Sequence, residues 1–145
     1  MNPDQMFLKA FLAGDGGPAP FVANPLAAAL NAELLAADSA GTVTLAFEPG
    51  PQFLQGAQVL QGGVVATMLD FALAFAALVR LPEGGAFGTV NLNVSMMKPA
   101  LAGRYQATGK VVRMGKTMIF GSAELRRGAE DLVATAAGVM AIARA

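Results

Sequence analysis

The sequence predicts an α+β domain in which one long apolar helix is wrapped by an antiparallel sheet of about six strands. Three observations predict it. Between Glu48 and Arg80 the only charge is Asp70, and residues 62–81 read as a single helix that is apolar on nearly every side. Such a helix must be covered all round, which a curved sheet can do. Downstream of Pro82-Glu83-Gly84-Gly85 the hydrophobic period switches to alternation, in four strand-length runs parted by short turns. Upstream, Val43, Leu45 and Phe47 alternate in the same way and follow the turn Asp38-Ser39-Ala40-Gly41.

The elements follow in order. Residues 3–13 form a short amphipathic helix with Met6, Phe7, Ala10 and Phe11 at helical spacing. Residues 14–20 hold three glycines and two prolines and read as a flexible connection. They do not form a phosphate loop, because no Gly-Lys-Ser/Thr follows. Asn24 caps a helix whose first residue is Pro25. A hairpin covers 33–37 and 43–47, and Pro49-Gly50-Pro51 ends it. Residues 53–60 form an irregular loop carrying Gln55 and Gln58, and the helix 62–81 follows. Strands are expected at 86–97, 103–114, 117–127 and 131–143, with Val90, Leu92, Val94 and Met96 sharing one face of the first. No repeat, linker or second domain interrupts residues 1–145.

Composition excludes several classes of function. The chain has 145 residues, 54% of them hydrophobic and only 14% charged. That is too apolar for disorder, and a subunit interface would absorb the excess. Ten basic and ten acidic residues cancel, which argues against a nucleic-acid partner. There is no cysteine and no histidine. A thiol nucleophile, a disulfide framework, a Ser-His-Asp triad and a His-based hydratase are therefore excluded, and no metal is implied. The N-terminus lacks the basic start and apolar run of a signal peptide. Residues 62–81 are long enough to span a bilayer, but a central Asp costs roughly 2.5–3.5 kcal/mol there. The expectation is a cytoplasmic chain with no membrane span.

Asp70 is the residue most in need of explanation, because a carboxylate within an apolar helix is costly unless paired, protonated or used. Gly63, Ala66, Thr67, Ala74 and Ala77 surround it on a helical projection and leave room for a ligand or another backbone. Met68, Phe71, Phe75, Leu78 and Val79 form a bulkier face suited to the core. Gly62-Gly63 opens the helix, and the first N–H groups of a helix are unpaired and carry partial positive charge. Gln61 is a poor N-cap, so those donors are expected to be free for an acyl oxygen gaining negative charge. Lys98, Arg113 and Lys116 are the candidate phosphate contacts for a nucleotide-tailed substrate. Tyr105 reads as packing.

Gln61-Gly62-Gly63-Val64-Val65-Ala66-Thr67-Met68-Leu69-Asp70 is followed by Gly88-Thr89-Val90-Asn91-Leu92-Asn93-Val94. Lys98-Pro99-Ala100, Gly103 and Arg113-Met114-Gly115-Lys116-Thr117 come next. In order and spacing, over residues 24–143, these motifs resemble the hotdog-fold acyl-CoA thioesterases, above all the phenylacetate-pathway (PaaI-like) type related to hydroxybenzoyl-CoA thioesterases. The resemblance implies a homodimer that pairs into a homotetramer, with active sites at the dimer interface. It implies that Asp70 is nucleophile or general base and that the Gly62 N–H, from the partner subunit, polarises the thioester carbonyl. Gln55 stands where the family usually has Asn, Gln61 where it usually has His, and Thr89 at a position that often carries an assisting hydroxyl. Gly63, Thr67 and Ala74 would line the substrate site. CoA would be part of the substrate, with no retained cofactor.

The leading expectation is hydrolysis of an aryl- or medium/long-chain acyl-CoA to the free acid and CoA. Two alternatives stand beside it. Replacement of the family His by Gln61 would suit a non-catalytic acyl-CoA or lipid binder. A purely structural dimer would use Asp70 only as a hydrogen-bonding partner across the interface.

Overall fold

The computed structural model of the chain describes residues 2–143. The elements are α1 (Pro3–Ala13), β1 (Ala19–Pro20), α2 (Pro25–Ala29), β2 (Glu33–Ala37), β3 (Thr42–Phe47), α3 (Gly62–Arg80), β4 (Phe87–Met96), β5 (Tyr105–Met114), β6 (Met118–Arg127) and β7 (Asp131–Ile142). One 3-10 turn, Pro51–Phe53, precedes α3. The strands form a single antiparallel sheet in the order β1-β2-β3-β5-β6-β7-β4. The helix α3 lies across β3, β5, β6 and β7, giving the hotdog arrangement. By length and composition alone α3 would pass as a bilayer span. Here it is the core helix of the domain, with Val65, Met68, Leu69, Ala72, Leu73, Phe75, Ala76, Ala77 and Leu78 buried.

The sheet comes unusually close to this helix because glycines line the contact. Gly121 of β6 and Gly138 of β7 are direct cross-strand partners, and Gly109 of β5 sits one diagonal away. A Cβ at Gly109 would lie 2.3 Å from the Ala72 carbonyl oxygen. At Gly121 and Gly138 it would meet the two δ-carbons of Leu73, at 2.8 and 2.9 Å. The absence of these three side chains leaves a trough that holds α3 at Ala72–Leu73, one turn from Asp70.

A run of aromatic rings ties the N-terminal elements to this core. Phe7 of α1 packs on Phe21 at 4.5 Å between centroids, and Phe21 meets Phe75 of α3 edge-on at 5.1 Å. Phe75 in turn stacks on Phe71 at 6.4 Å, and Phe71 faces Phe47 of β3 at 6.0 Å. Gln5 of α1, 2% exposed, donates through Nε2 to the Pro82 carbonyl and accepts from the Gly84 N–H. The start of α1 is thereby fastened beside the C-terminal end of α3.

Four expectations need correction. Residues 14–20 are not all a free connection: Ala19 and Pro20 form β1 on the edge of β2, and buried Phe21 donates its N–H to Ala32 at 2.8 Å. A two-residue strand ending in proline has no alternation to detect, and it raises the count to seven strands. The small-residue face of α3 is split, because Ala77 is fully buried while Ala66, Thr67 and Ala74 remain half-buried. Phe71 and Val79, assigned to the core face, do pack against the core but stay half-buried. Finally, Val90, Leu92, Val94 and Met96 do not bury together: a register shift between Thr89 and Asn91 leaves Val90 61% exposed, and Met96 is 52% exposed near the strand end.

Candidate active site

Six of the predicted site residues line two clefts of one chain, Gln55, Gly62 and Lys98 the first and Thr67, Asp70 and Ala74 the second, whereas Gln61, Gly63, Thr89, Arg113 and Lys116 line neither. The first, about 400 Å³, is lined by Gln55, Gly62, Val65, Met96, Lys98 and Pro99 among others. The second, about 340 Å³, is lined on one side by Thr67, Asp70, Phe71, Ala74, Phe75 and Leu78, a continuous stripe of α3, and on the other by Asp4, Asn24 and Leu26.

In the first cleft the start of α3 is partly capped. Gln61 has extended backbone geometry, and its Oε1 accepts the Gly63 N–H at 2.6 Å. This corrects the expectation that Gln61 leaves the helix start open: a side-chain amide oxygen serves the same acceptor role as an Asn cap, though it needs one more methylene to do so. The Gly62 N–H finds no acceptor among the described residues. The Gly63 N–H is therefore taken and the Gly62 N–H remains available. Glycine at 62 also accommodates Met96, whose Cε would lie 3.2 Å from an added Cβ. The Oε1 of Gln55 accepts the N–H of Ala57 at 3.0 Å, holding the loop that forms the cleft wall. Lys98 is half-exposed and ion-paired with Asp131.

In the second cleft Asp70 is half-buried, not enclosed. Its Oδ1 accepts a hydrogen bond from the Thr89 hydroxyl at 3.2 Å. Thr89 is exposed on β4, the outermost strand at that end of the sheet. The Thr67 hydroxyl is directed back to the Gly63 carbonyl at 2.7 Å, so it presents its methyl to its surroundings more readily than a donor. Among the described residues the second carboxylate oxygen of Asp70 has no hydrogen-bond partner, at the mouth of an otherwise apolar stripe.

The three cations do not converge. Lys98 follows the C-terminal end of β4, beside Gln55 and Gly62. Arg113 and Lys116 lie at the other end of the sheet, at the β5–β6 turn, where Met114, Ile119, Met140 and Thr89 form one cross-strand row. That row brings Arg113 and Lys116 toward the Thr89 end of the sheet, three strand spacings from β4, about 14 Å. Asp4 and Asn24 were not anticipated as cleft residues. Their roles as helix-start residues are legible locally, whereas their approach to α3 depends on how α1 folds back.

The Thioesterase superfamily model matches residues 57–134, more than half of the chain. The chain belongs to the thioesterase superfamily. Solved structures agree with that placement. A phenylacetic acid degradation-related protein from Ralstonia eutropha is 29% identical, covers 93% of this chain and 98% of its own, and superposes with a TM-score of 0.79. A thioesterase family protein from Silicibacter pomeroyi is 27% identical over 86% of this chain and 93% of its own, also with a TM-score of 0.79. The PaaI protein of the E. coli phenylacetic acid degradation operon shares the fold at 20% identity, over 97% and 94% of the two chains, with a TM-score of 0.78. No curated protein matches the chain. This thioesterase-superfamily member is accordingly a hotdog-fold, PaaI-like thioester hydrolase.

Proposed function

We propose that the substrate is an aryl- or medium/long-chain acyl-CoA, hydrolysed to the free acid and CoA at a site shared by two copies of the chain. The observation that carries this reading is the separation of the two chemical groups along α3. Gly62 and Asp70 are eight positions apart, about 12 Å of helix axis, and open into different clefts. A single thioester carbonyl cannot accept a hydrogen bond from that N–H while its carbon is attacked from that carboxylate. A second copy supplies the missing donor. The outer edge of β4, with Thr89 beside Asp70, has no partner strand among the described residues, and pairing there would bring a second chain to Asp70.

In this reading Asp70 either removes a proton from the attacking water or attacks the carbonyl carbon itself, and Thr89 orients it through their hydrogen bond. The partner's Gly62 N–H stabilises the oxygen that gains negative charge, as preorganised donors do. Gln61 shapes the helix start by holding the Gly63 N–H, and Gln55 supports the cleft wall. Collapse of the tetrahedral species expels the CoA thiolate, which takes a proton; where Asp70 has attacked directly, a water then hydrolyses the mixed anhydride left on it, freeing the acid and restoring the carboxylate. Lys98, beside Gly62, would take one CoA phosphate in exchange for its pairing with Asp131, and Arg113 and Lys116, about 14 Å across the sheet from β4, would suit another. Pairing of such dimers would give a homotetramer.

The test is thiol release from a panel of aryl- and fatty acyl-CoAs with wild type and Asp70→Asn side by side. Turnover that is lost in the variant while the fold is kept supports the reading. A fully active variant removes Asp70 from the mechanism. Binding without release by either protein would point to an acyl-CoA binder.

A further inference from the structure

The wall of the Asp70 cleft opposite α3 is built by elements outside residues 57–134, and it carries a second carboxylate. Asp4, in the first turn of α1, lines the cleft with Asn24 and Leu26. Both Asp4 oxygens accept from a single group, the Asn24 Nδ2, at 3.3 Å each. These contacts are long for a bond to a charged acceptor. The Oδ1 of Asn24 is occupied in capping α2, accepting from the N–H groups of Leu26 and Ala27. A carboxylate offers about four lone-pair sites, so Asp4 is half-buried with acceptor capacity left over, on the wall of an apolar cleft.

The position of Asp4 relative to Asp70 follows from its neighbour. Gln5 bonds to Pro82 and Gly84, just past the end of α3, whereas Asp70 sits mid-helix. From Asp70 the cleft floor runs over Ala74 and Phe75 to Leu78, about 12 Å along the axis. An acyl chain whose carbonyl is held at Asp70 would lay its apolar body on that floor and bring its tail toward Asp4. The volume of about 340 Å³ is that of a small-ligand pocket.

We infer that Asp4 is a specificity-determining residue: its carboxylate accepts a hydrogen bond from a hydroxyl or ammonium group at the far end of the acyl chain and repels chains that end in a carboxylate. This rests on the assignment of Asp70 to the reacting carbonyl. A tail that brings a donor compensates the desolvation of Asp4, an apolar tail does not, and an anionic tail adds like-charge repulsion.

Asp4 also has a structural place, as an acid in the first turn of α1 and as the partner of Asn24. Asp4→Asn keeps an oxygen for the Asn24 amide and removes only the charge, which separates the two roles. The experiment measures kcat/KM for ω-hydroxyoctanoyl-CoA and for the mono-CoA ester of octanedioic acid, in wild type and Asp4→Asn. Dissociation constants of the corresponding non-hydrolysable thioethers are measured in parallel. Wild type should prefer the hydroxyl tail, and in Asp4→Asn the ratio should fall by about tenfold or more. A structural role alone would lower both values together and leave the ratio where it was. An unchanged ratio in turnover and in binding, or a wild type without preference, overturns the inference. Asp70→Asn serves as the separate control. If it keeps turnover, the catalytic assignment fails, while the thioether ratio still decides whether Asp4 reads the tail.

Discussion

Replacing Gly109 by alanine tests whether the glycine trough positions α3. The new Cβ would lie 2.3 Å from the Ala72 carbonyl oxygen, 2.5 Å from its carbon and 2.9 Å from the Leu73 nitrogen. All three are backbone atoms of a helix and cannot rotate away, so α3 or β5 must retreat. Overpacking of this kind costs about 1–3 kcal/mol, and a clash against rigid backbone belongs at the upper end. Reduced freedom of the unfolded chain offsets about 0.4–1 kcal/mol of that. The net loss is about 2 kcal/mol, which lowers the melting temperature by about 4–8 °C in a domain of this size. Gly138→Ala is the control: its nearest neighbour is the Leu73 Cδ1 at 2.9 Å, the end of a side chain that can adjust. Its overpacking cost belongs at the lower end, about 1 kcal/mol, and the reduced freedom of the unfolded chain offsets much of that. Urea denaturation at matched protein concentration reads both. A Gly109→Ala chain as stable as wild type, or one less affected than Gly138→Ala, would refute the account. Because Asp70 lies one turn away, the same retreat should also slow thiol release.

Two further predictions bear on assembly and on pH. Proline suits the first position of a helix and lacks an N–H, so Gly62→Pro should keep α3 while abolishing the proposed donor. Gly62→Pro and Asp70→Asn should each be inactive alone, but unfolding and refolding them together should restore about a quarter of wild-type activity, one intact site in each mixed dimer; no recovery would place donor and acid on the same chain. Tyr105 is buried with its hydroxyl donating to the Leu101 carbonyl, and burial, reinforced by Asp131 and opposed by Arg127, raises its phenol above the usual value. The folded state therefore holds that proton more tightly than the unfolded chain does. The stability this contributes is full below about pH 10 and is lost as pH rises through the folded-state value. Tyr105→Phe should cost about 1 kcal/mol at neutral pH, and its deficit relative to wild type should shrink above pH 10; a deficit constant to pH 11 would refute the linkage.

The long elements were legible because each obeys a local rule. Pro25 behind Asn24, the double glycine before Val64 and the proline-glycine stop after Leu81 mark helix ends that the structure places within a residue or so. The strands of the second half alternate cleanly and have short turns. Asp70 was legible as an anomaly of charge. What escaped were properties that belong to two distant segments at once. Gln61 caps α3 only because its backbone is extended there. The bulge at Thr89–Asn91 that turns Val90 outward depends on the register of β7. Gly109, Gly121 and Gly138 look like weak strand residues until α3 is laid across them. Asp4 faces the Asp70 cleft only because Gln5 anchors α1 to the loop after α3.

The strand order carries a consequence for the birth of the protein. β4 is made before β5 and β6, yet its only neighbour among the described strands is β7, the last to be synthesised. While the ribosome works through residues 97–130, β4 has α3 at its root and no strand at its side. Insertion of β7 satisfies β6 and β4 together, so the sheet closes in one late step in place of gradual growth. Contacts between distant parts of the chain of this kind slow folding and prolong the life of an unpaired edge. A nascent chain halted before Asp131 would hold Asp70 and Thr89 in its sequence without the strand that sets their register.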